Sequence, residues 1–542
     1  MIVSNLCKSL GNKELLNNIN FSLNSSDKVG LIGKNGSGKS TLLKILSGNL
    51  MQDIGKINLN GKTIKLLKQE IEKDNDNLSV IDYVKSDIGL LHLEDRLHKL
   101  ENNLNENNMD EYSDVFDEYL KLDGYNFENN LNNIINGLNL DVDLKKPVRE
   151  LSGGQKIKIL LASLLLSDAD ILLLDEPTNN LDIDSINWLE IYLKKMSKEM
   201  IIVSHDETFL NEITNKIFEL SDGKFNIYNM SYSDYLFYKE CEYNKDLEKY
   251  NRAKEQQKKI KSSLEEAKQW ANQGLSKKKN DNDKLSANFS KERTKKTSSK
   301  ISKLTKELEK VEIDQSFRKK EKIDFCVDYI NTKGNRDIYV SNLVCGYKDF
   351  STPSLNLNIP FGTRLCISGK NGSGKSTFIK TLLNIIPCIS GTINIGNEVK
   401  MGYISQDSLD GNSVDFTVYE YLVSNIDTNK STIFNLLNKF HIKYDDKDKL
   451  FSSLSPGERT RVNLAKLAIN ETNVLVLDEA TNHLDIEAIN VLEQAVESFT
   501  GTIISISHNR AFNDILNADM TLNIETGSLT YKEISNCKKK KK

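Results

Sequence analysis

Nine residues in the first tenth of the chain are built to hold phosphate. They are Gly33-Lys34-Asn35-Gly36-Ser37-Gly38-Lys39-Ser40-Thr41. The same nine return as Gly369-Lys370-Asn371-Gly372-Ser373-Gly374-Lys375-Ser376-Thr377. Both fit the pattern GxxxxGK[ST], in which glycines let backbone N–H groups wrap an anion and the following helix adds its N-terminal dipole. Lys39 and Lys375 are then expected to reach the β- and γ-phosphates of a nucleotide, and Ser40 and Ser376 to bind Mg²⁺. Two further carboxylate pairs, Asp175-Glu176 and Asp478-Glu479, each end an apolar run. At such a strand end the aspartate can hold the metal's hydration shell, while the next glutamate faces the γ-phosphate and polarises the attacking water.

Those residues need particular elements beneath them. Val29–Ile32 and Arg364–Ile367 read as strands running into the Gly-rich loops, and Leu42, Leu43, Ile45 and Leu46, or Phe378, Ile379, Leu382 and Leu383, give the helix that follows. Ile171–Leu174 and Val474–Leu477 are uninterrupted apolar runs, as in strands buried on both faces of a mainly parallel sheet. The chain is therefore a duplication. The P-loops are offset by 336 residues and Gln69 from Gln406 by 337, but Ser152/Ser455, Asp175/Asp478 and His205/His508 are all offset by 303. The first copy accordingly holds about 34 extra residues between Gln69 and Ser152, which read as a small helical arm around 87–124.

Composition bounds the rest. At 542 residues with 38% hydrophobic and 28% charged content, two or three domains are expected, and no apolar run approaches the roughly 18 residues of a membrane span. Seven cysteines without a CxxC pair and six dispersed histidines argue for reduced thiols in a cytoplasm and against a protein-built metal site. Net charge is −4, yet residues 251–322 carry 22 Lys and Arg against 11 Asp and Glu, so this +11 segment sits in a remainder of −15. Within 236–322, Ile260, Leu264, Ala267 and Ala271 share one helical face, and Ile301, Leu304, Leu308 and Val311 another. Two antiparallel helices are expected, the first projecting roughly 50 Å. They are either a solvated charged pair or a basic prong for a polyanion.

With Leu151-Ser152-Gly153-Gly154-Gln155 and Leu172-Leu173-Leu174-Asp175-Glu176-Pro177-Thr178-Asn179-Asn180-Leu181-Asp182, the chain resembles the ATP-binding cassette family over nearly everything outside 236–335. The resemblance implies an α/β fold: two P-loop ATPase domains, each a mixed sheet flanked by helices with a helical subdomain, joined by a long antiparallel helical hairpin. It implies that the cassettes face head to tail within a monomer, with two ATPs between them. One site would join Lys39, Ser40, Thr41, Asp175 and Glu176 to Ser455, Gly457 and Glu458. The other would join Lys375, Ser376, Thr377, Asp478 and Glu479 to Ser152, Gly153, Gly154 and Gln155. Gln69 and Gln406 match the glutamine loop that touches nucleotide and Mg²⁺, Asp182 and Asp485 the aspartate loop, and His205 and His508 the switch histidine. Tyr347 fits the adenine-stacking aromatic, where the first copy has Leu10. The second signature reads Leu454-Ser455-Pro456-Gly457-Glu458, in which proline removes a backbone donor, and Ala480 replaces Pro177. With both glutamates present, two active but unequal sites are expected.

The arrangement of domains resembles the F group of that family: residues 1–235 as the first cassette with its arm, 236–322 as a linker with its tip at 271–289, 323–535 as the second cassette, and 536–542 as a Lys-rich tail. The resemblance implies a bacterial 70S ribosome as partner. The linker would enter the tRNA exit site and meet 23S rRNA and P-site tRNA near the peptidyl-transferase centre. Trp270, Leu275, Lys277, Lys278, Lys279, Leu285 and Phe289 are the candidate contacts, and ribosomal protection against antibiotics is the expected role. A housekeeping translation factor and a DNA-associated ATPase are the alternatives.

Overall fold

The computed structural model describes residues 1–11, 13–68, 70–71, 76–103, 105, 108–179, 181–221, 223–276, 298–308, 334–347, 350–405, 416–423, 433, 437, 439–442, 444–482, 484 and 486–532. In the first half the strands are β1 Ile2–Leu10, β2 Lys13–Ser22, β3 Lys28–Ile32, β4 Ile54–Asn58, β5 Ile64–Leu66, β6 Ile171–Asp175, β7 Glu199–Val203, β8 Lys216–Ser221 and β9 Lys224–Tyr228. The second half has β10 Ile338–Val344, β11 Gly346–Tyr347, β12 Phe350–Ser351, β13 Leu355–Ile359, β14 Arg364–Ser368, β15 Ser390–Ile395, β16 Met401–Ser405, β17 Val474–Asp478, β18 Thr502–Ile506, β19 Met520–Asn523 and β20 Ser528–Tyr531.

The duplication seen in the motifs extends to the sheets. The main sheet runs β5-β6-β7-β3-β8-β9 in one half and β16-β17-β18-β14-β19-β20 in the other, parallel except for the antiparallel edge strand β9 or β20. Beside each lies an antiparallel three-stranded sheet, β2-β1-β4 or β13-β10-β15. Ile171–Leu174 and Val474–Leu477 are almost wholly removed from solvent, as strands covered on both faces must be. The P-loop helices Lys39–Leu46 and Lys375–Leu382 each pack one apolar face between the two sheets, Leu42, Leu43, Ile45 and Leu46 in the first copy and Phe378, Ile379 and Leu382 in the second. This fixes the strand–loop–helix turn from which phosphate chemistry is done.

Within the insertion, helices Leu90–Asn102 and Met109–Lys121 close on a small core of Leu93, Leu97 and Val115, with Tyr112 and Phe116 stacked at 5.9 Å. Arg96 pairs with Glu111 across them at 2.7 Å.

Residues 233–321 form a compact unit of their own. Its described part is a 45-residue helix, Tyr232–Ser276, and a helical segment at 298–308. The helix begins before the expected start at 236 and continues past 270, where the sequence suggested that the tip begins. Once formed, it gains a hydrogen bond per added residue, so a single Gly274 without proline does not stop it. At 1.5 Å per residue it is about 67 Å long. Ala267, on the expected apolar stripe, is buried and Trp270 is 75% exposed. Among the described residues no helix is long and apolar enough to cross a membrane.

Candidate functional site

Each P-loop is set by glycines with positive φ, which side-chain-bearing residues rarely adopt. Gly33 has φ +155°, and a Cβ there would stand 2.2 Å from the carbonyl oxygen of Leu220 on β8. Gly38 caps the P-loop helix with φ +103° and no side-chain cap, so the first-turn N–H groups point into the loop. Lys39 is 8% exposed, and its Nζ donates to the carbonyls of Gly33 (2.6 Å) and Lys34 (3.1 Å). The second copy repeats this: Lys375 Nζ donates to Gly369 O (2.8 Å) and Lys370 O (3.0 Å), and burial holds its ammonium below the usual lysine range.

Ser376 Oγ donates to Asp478 Oδ1 at 2.9 Å, and Tyr403 donates to the other oxygen at 3.2 Å. A hydroxyl and a carboxylate side by side are a hard-oxygen set suited to Mg²⁺. Among the described residues no group of three or more His, Cys, Asp or Glu could hold a metal ion.

Glu176 and Glu479 follow the buried strands with φ of 52° and 50°, a left-handed conformation uncommon for glutamate. Each turn is held by backbone bonds, Glu176 N–H to Val203 O (2.9 Å) and Glu479 N–H to Ile506 O (3.0 Å), which aim the carboxylates along the sheet's C-terminal edge. The His205 N–H donates to Glu176 Oε2 (3.3 Å), and the His205 Nε2 lies 3.3 Å from Oε1. In the second copy His508 Nε2 is 3.9 Å from Glu479 Oε1, while Asn482 Nδ2 donates to Glu479 Oε2 at 2.9 Å. Burial, with Lys375 nearby, pushes the His508 imidazole down to about 4, so it is neutral at physiological pH.

Burial, with Asp175 beside it, pushes the Glu176 carboxyl up to about 8. A carboxylate that must be ionised to orient water then works only once its proton is gone. In the Glu479→Gln protein, where turnover comes from the first site, kcat is expected to rise with pH through about 8. A profile flat from pH 6 to 9 counts against that role.

The two cavities differ. About 290 Å³ opens at the first P-loop, lined by Asn35, Gly36, Gly38, Lys39, Ser40, Thr41, Asp175, Glu176, Asn179, Val203 and His205, all from the first copy. About 460 Å³ opens at the second, where Asn371, Gly372, Gly374, Lys375, Ser376, Thr377, Glu479 and His508 meet Gly154, Thr178 and Leu181 of the first copy. Tyr347 lines this second cavity together with Phe350, while Leu10 does not line the first.

Ser455 and Gly457 do not line the first cavity. Ser152 and Ser455 instead cap the helices Gly153–Leu166 and Pro456–Ile469. Each is one half of a capping box with Gln155 or Glu458 three residues on. Pro456 is the first helical residue, where its missing N–H would have had no intrahelical partner. The departures in the second signature therefore leave its helix start intact. Asp182 caps the helix Ile183–Lys195 by accepting from Ser185 N–H (2.8 Å). Gln69, Gln406, Asp485, Lys277, Lys278, Lys279, Leu285, Phe289 and the 536–542 tail lie outside the described residues, as does the side chain of Leu275.

Sequence reasoning missed Phe350, Thr178, Asn179 and Asn482. The last three belong to Thr-Asn pairs that recur at the 303-residue offset after each Asp-Glu, a repeat signal that could have found them. Both pairs line a small space of about 40 Å³ that also touches Glu176, His205 and His508, so the two reaction centres share a wall.

Comparison with known proteins agrees with this geometry. A family profile described as ABC transporter matches residues 16–179 and 353–482, both copies. YdiF of Bacillus subtilis is 32% identical over 526 residues, covering 94% of this chain and 78% of that protein. ABC transporter F family member 5 of Arabidopsis thaliana is 30% identical over 548 residues, covering 97% and 75%. Among solved structures, the complex of archaeal ribosomal stalk protein aP1 with archaeal ribosome recycling factor aABCE1 shares the fold, with TM-score 0.56 and 18% identity over 96% of this chain and 87% of that one. Matched in both halves by the cassette profile and along nearly its whole length by an F family member, the chain belongs to the ATP-binding cassette family as a tandem-cassette ATPase of the F type.

Proposed function

We propose that this chain is a cytoplasmic, ATP-gated ribosome-binding factor whose interdomain helices act on the bacterial 70S ribosome, and that its role is ribosomal protection against antibiotics. The observation that carries the reading is a 45-residue helix, Tyr232–Ser276, that opens a segment between two ATPase cassettes in which residues 251–322 carry 22 Lys and Arg against 11 Asp and Glu. Ribosomal RNA is a dense polyanion, and phosphate contacts by Lys and Arg dominate affinity for such a partner. The solved complex of the same fold contains an archaeal ribosome recycling factor, and that likeness is one of fold. The domains we assign are 1–235, 236–322 and 323–535, with a tail at 536–542.

In the proposed cycle, the N–H groups of the two P-loops together with Lys39 and Lys375 bind the phosphates of ATP. Tyr347 and Phe350 offer a face to the base in the second site. Mg²⁺, held by Ser40 and Asp175 or by Ser376 and Asp478, would neutralise charge on the β- and γ-phosphates. Glu176 and Glu479 orient water toward the γ-phosphate, and His205 and His508 hold those carboxylates and sense the phosphate. Gly154 closes the second site from the other cassette. Closure presents the linker to the exit site, where Trp270 is free to stack on a base, and hydrolysis releases it.

The experiment is cosedimentation of the full-length Glu176→Gln, Glu479→Gln protein with 70S ribosomes in ATP across a salt series. Binding is expected to need ATP and to fall steeply with salt. ATP-bound protein that stays in the supernatant while the ribosomes pellet at every salt concentration, with DNA copurifying, transfers the proposal to a DNA-associated ATPase. Drug susceptibility of an expressing strain then separates protection from a general translation role.

A further inference from the structure

The cassettes meet along two edges that the duplication makes equivalent, and the charges on those edges are opposite in kind. At one edge Arg510, the first residue of the helix Arg510–Leu516, crosses to the first cassette. Its Nη1 donates to Asn187 Oδ1 (3.0 Å) and Glu190 Oε2 (3.3 Å), its Nη2 contacts Glu190 Oε1, and Asp206 Oδ2 lies 3.9 Å away. Glu190 sits on the helix that Asp182 caps. Asp206 directly follows His205 and caps the helix Glu207–Ile213 by accepting from Phe209 N–H at 3.0 Å. One guanidinium thus holds both the element after the aspartate loop and the turn carrying the switch histidine.

The 303-residue offset maps Asn187, Glu190, Asp206 and Glu207 onto Asn490, Glu493, Asn509 and Arg510. At the second edge the place of Arg510 is therefore taken by Glu207, and the place of its partner by Glu493. The Tyr232 hydroxyl donates to Glu207 Oε1 at 3.3 Å. Burial and the Glu207 charge push the Glu493 carboxyl up to about 7, and burial with Asp206 nearby raises Glu207. Below pH 7 a protonated Glu493 can sit against Glu207. As pH rises through 7 Glu493 loses its proton beside Glu207, where the other edge has the Arg510–Glu190 ion pair.

We propose that Arg510 is a positioning residue for hydrolysis in the first site, acting from the other cassette by holding the His205 turn against Glu176. At the other edge Glu207 and Asn509 stand in the places of Arg510 and Asp206, so the ion pair that reaches across to the His205 turn has no counterpart reaching across to the His508 turn. The two sites are thereby unequal for a reason separate from their signature motifs. Arg510 touches no reacting atom and works through Glu190 and Asp206. The inference rests on the roles proposed above for Glu176 and His205.

The test uses full-length proteins in which one site is silenced. In the Glu479→Gln background, Arg510→Glu is expected to lower kcat by about tenfold to a hundredfold, as small misplacements of catalytic groups do, with KM for ATP changed less than about threefold. Adding Glu190→Arg is expected to recover most of that loss. Arg510→Lys, which keeps the charge but loses the fork, gives an intermediate fall, so the effect is readable even where the charge reversal folds poorly. In the Glu176→Gln background Arg510→Glu should leave second-site kcat within about threefold. An equal fall in both backgrounds, or no fall at the first site, overturns the proposal and leaves Arg510 a plain interface residue. Turnover that survives Glu176→Gln in the Glu479→Gln background removes the site assignment itself, and the inference with it.

Discussion

Replacing Glu176 and Glu479 together by glutamine is expected to lower steady-state ATP turnover by about 10²–10⁴-fold while leaving nucleotide binding in place, the scale on which a positioned general base contributes. The expectation follows from where the carboxylates are held. Each sits one residue beyond a buried strand, in a left-handed turn tied to the neighbouring strand, and each borders the cavity that its own P-loop lysine lines. Glutamine keeps the volume and can still accept from the His205 N–H and the Asn482 amide, so the fold and the phosphate cradle are untouched. What it cannot do is orient and polarise water as an anion. Single variants should each leave the turnover of the other site. Unequal residual rates would report the asymmetry of the two cavities directly. Double-variant turnover within tenfold of the parent protein would show that neither glutamate does this work.

Gly154→Asp is expected to abolish hydrolysis in the second site, by about a hundredfold or more, although residue 154 belongs to the first cassette. Gly154 lines the same cavity as Lys375, Ser376 and Glu479, and the space above its Cα is open, so an aspartate there fits without a clash. It would, however, bring a negative charge to the wall that faces the phosphates, in a pocket where Lys375 is already partly engaged by Gly369, Lys370 and Asn371. Charge placed on this wall repels the negative charge of the phosphates. The decisive measurement is turnover of Gly154→Asp in the two single-site backgrounds: loss in Glu176→Gln and retention in Glu479→Gln. Loss confined to Glu479→Gln would mean that Gly154 serves its own cassette's site. The Pro456-Gly457 segment makes a useful contrast, because Ser455 and Gly457 do not line the first cavity. Gly457→Asp should therefore change first-site turnover less than Gly154→Asp changes second-site turnover.

Much of this site is legible in the residues alone because its chemistry is local. Gly38, Lys39 and Ser40 must follow a strand and open a helix, so their roles are carried by nine consecutive residues, and the same holds for Leu174, Asp175 and Glu176. A duplicated motif also predicts a duplicated fold, and the two main sheets do share one strand order. What stayed hidden depends on which residues come together from distant parts of the chain. Pro456 looked like damage to a signature until its place at the first turn of a helix showed that the lost N–H had no partner to lose. Phe350 carries no motif, and only the β11–β12 pairing brings it beside Tyr347 and Gly374. The linker helix outran its expected end because propagation along a formed helix outweighs one unfavourable glycine.

By itself, then, the sequence determined that this protein is an ATPase, that it carries the nucleotide-binding motifs twice, and that a basic segment separates the two copies. Spacing along the chain is enough to state those things, because the groups involved act on the phosphate through backbone and side chains a few residues apart. Only the tertiary structure decided that Gly154 faces the second P-loop, that desolvation with Asp175 pushes the Glu176 carboxyl up to about 8, and that Arg510 faces Glu190 where the Glu207 charge acts on Glu493. Each of these is set by burial or by approach across the cassette interface, and neither desolvation nor a partner three hundred residues away leaves a periodic trace in the chain.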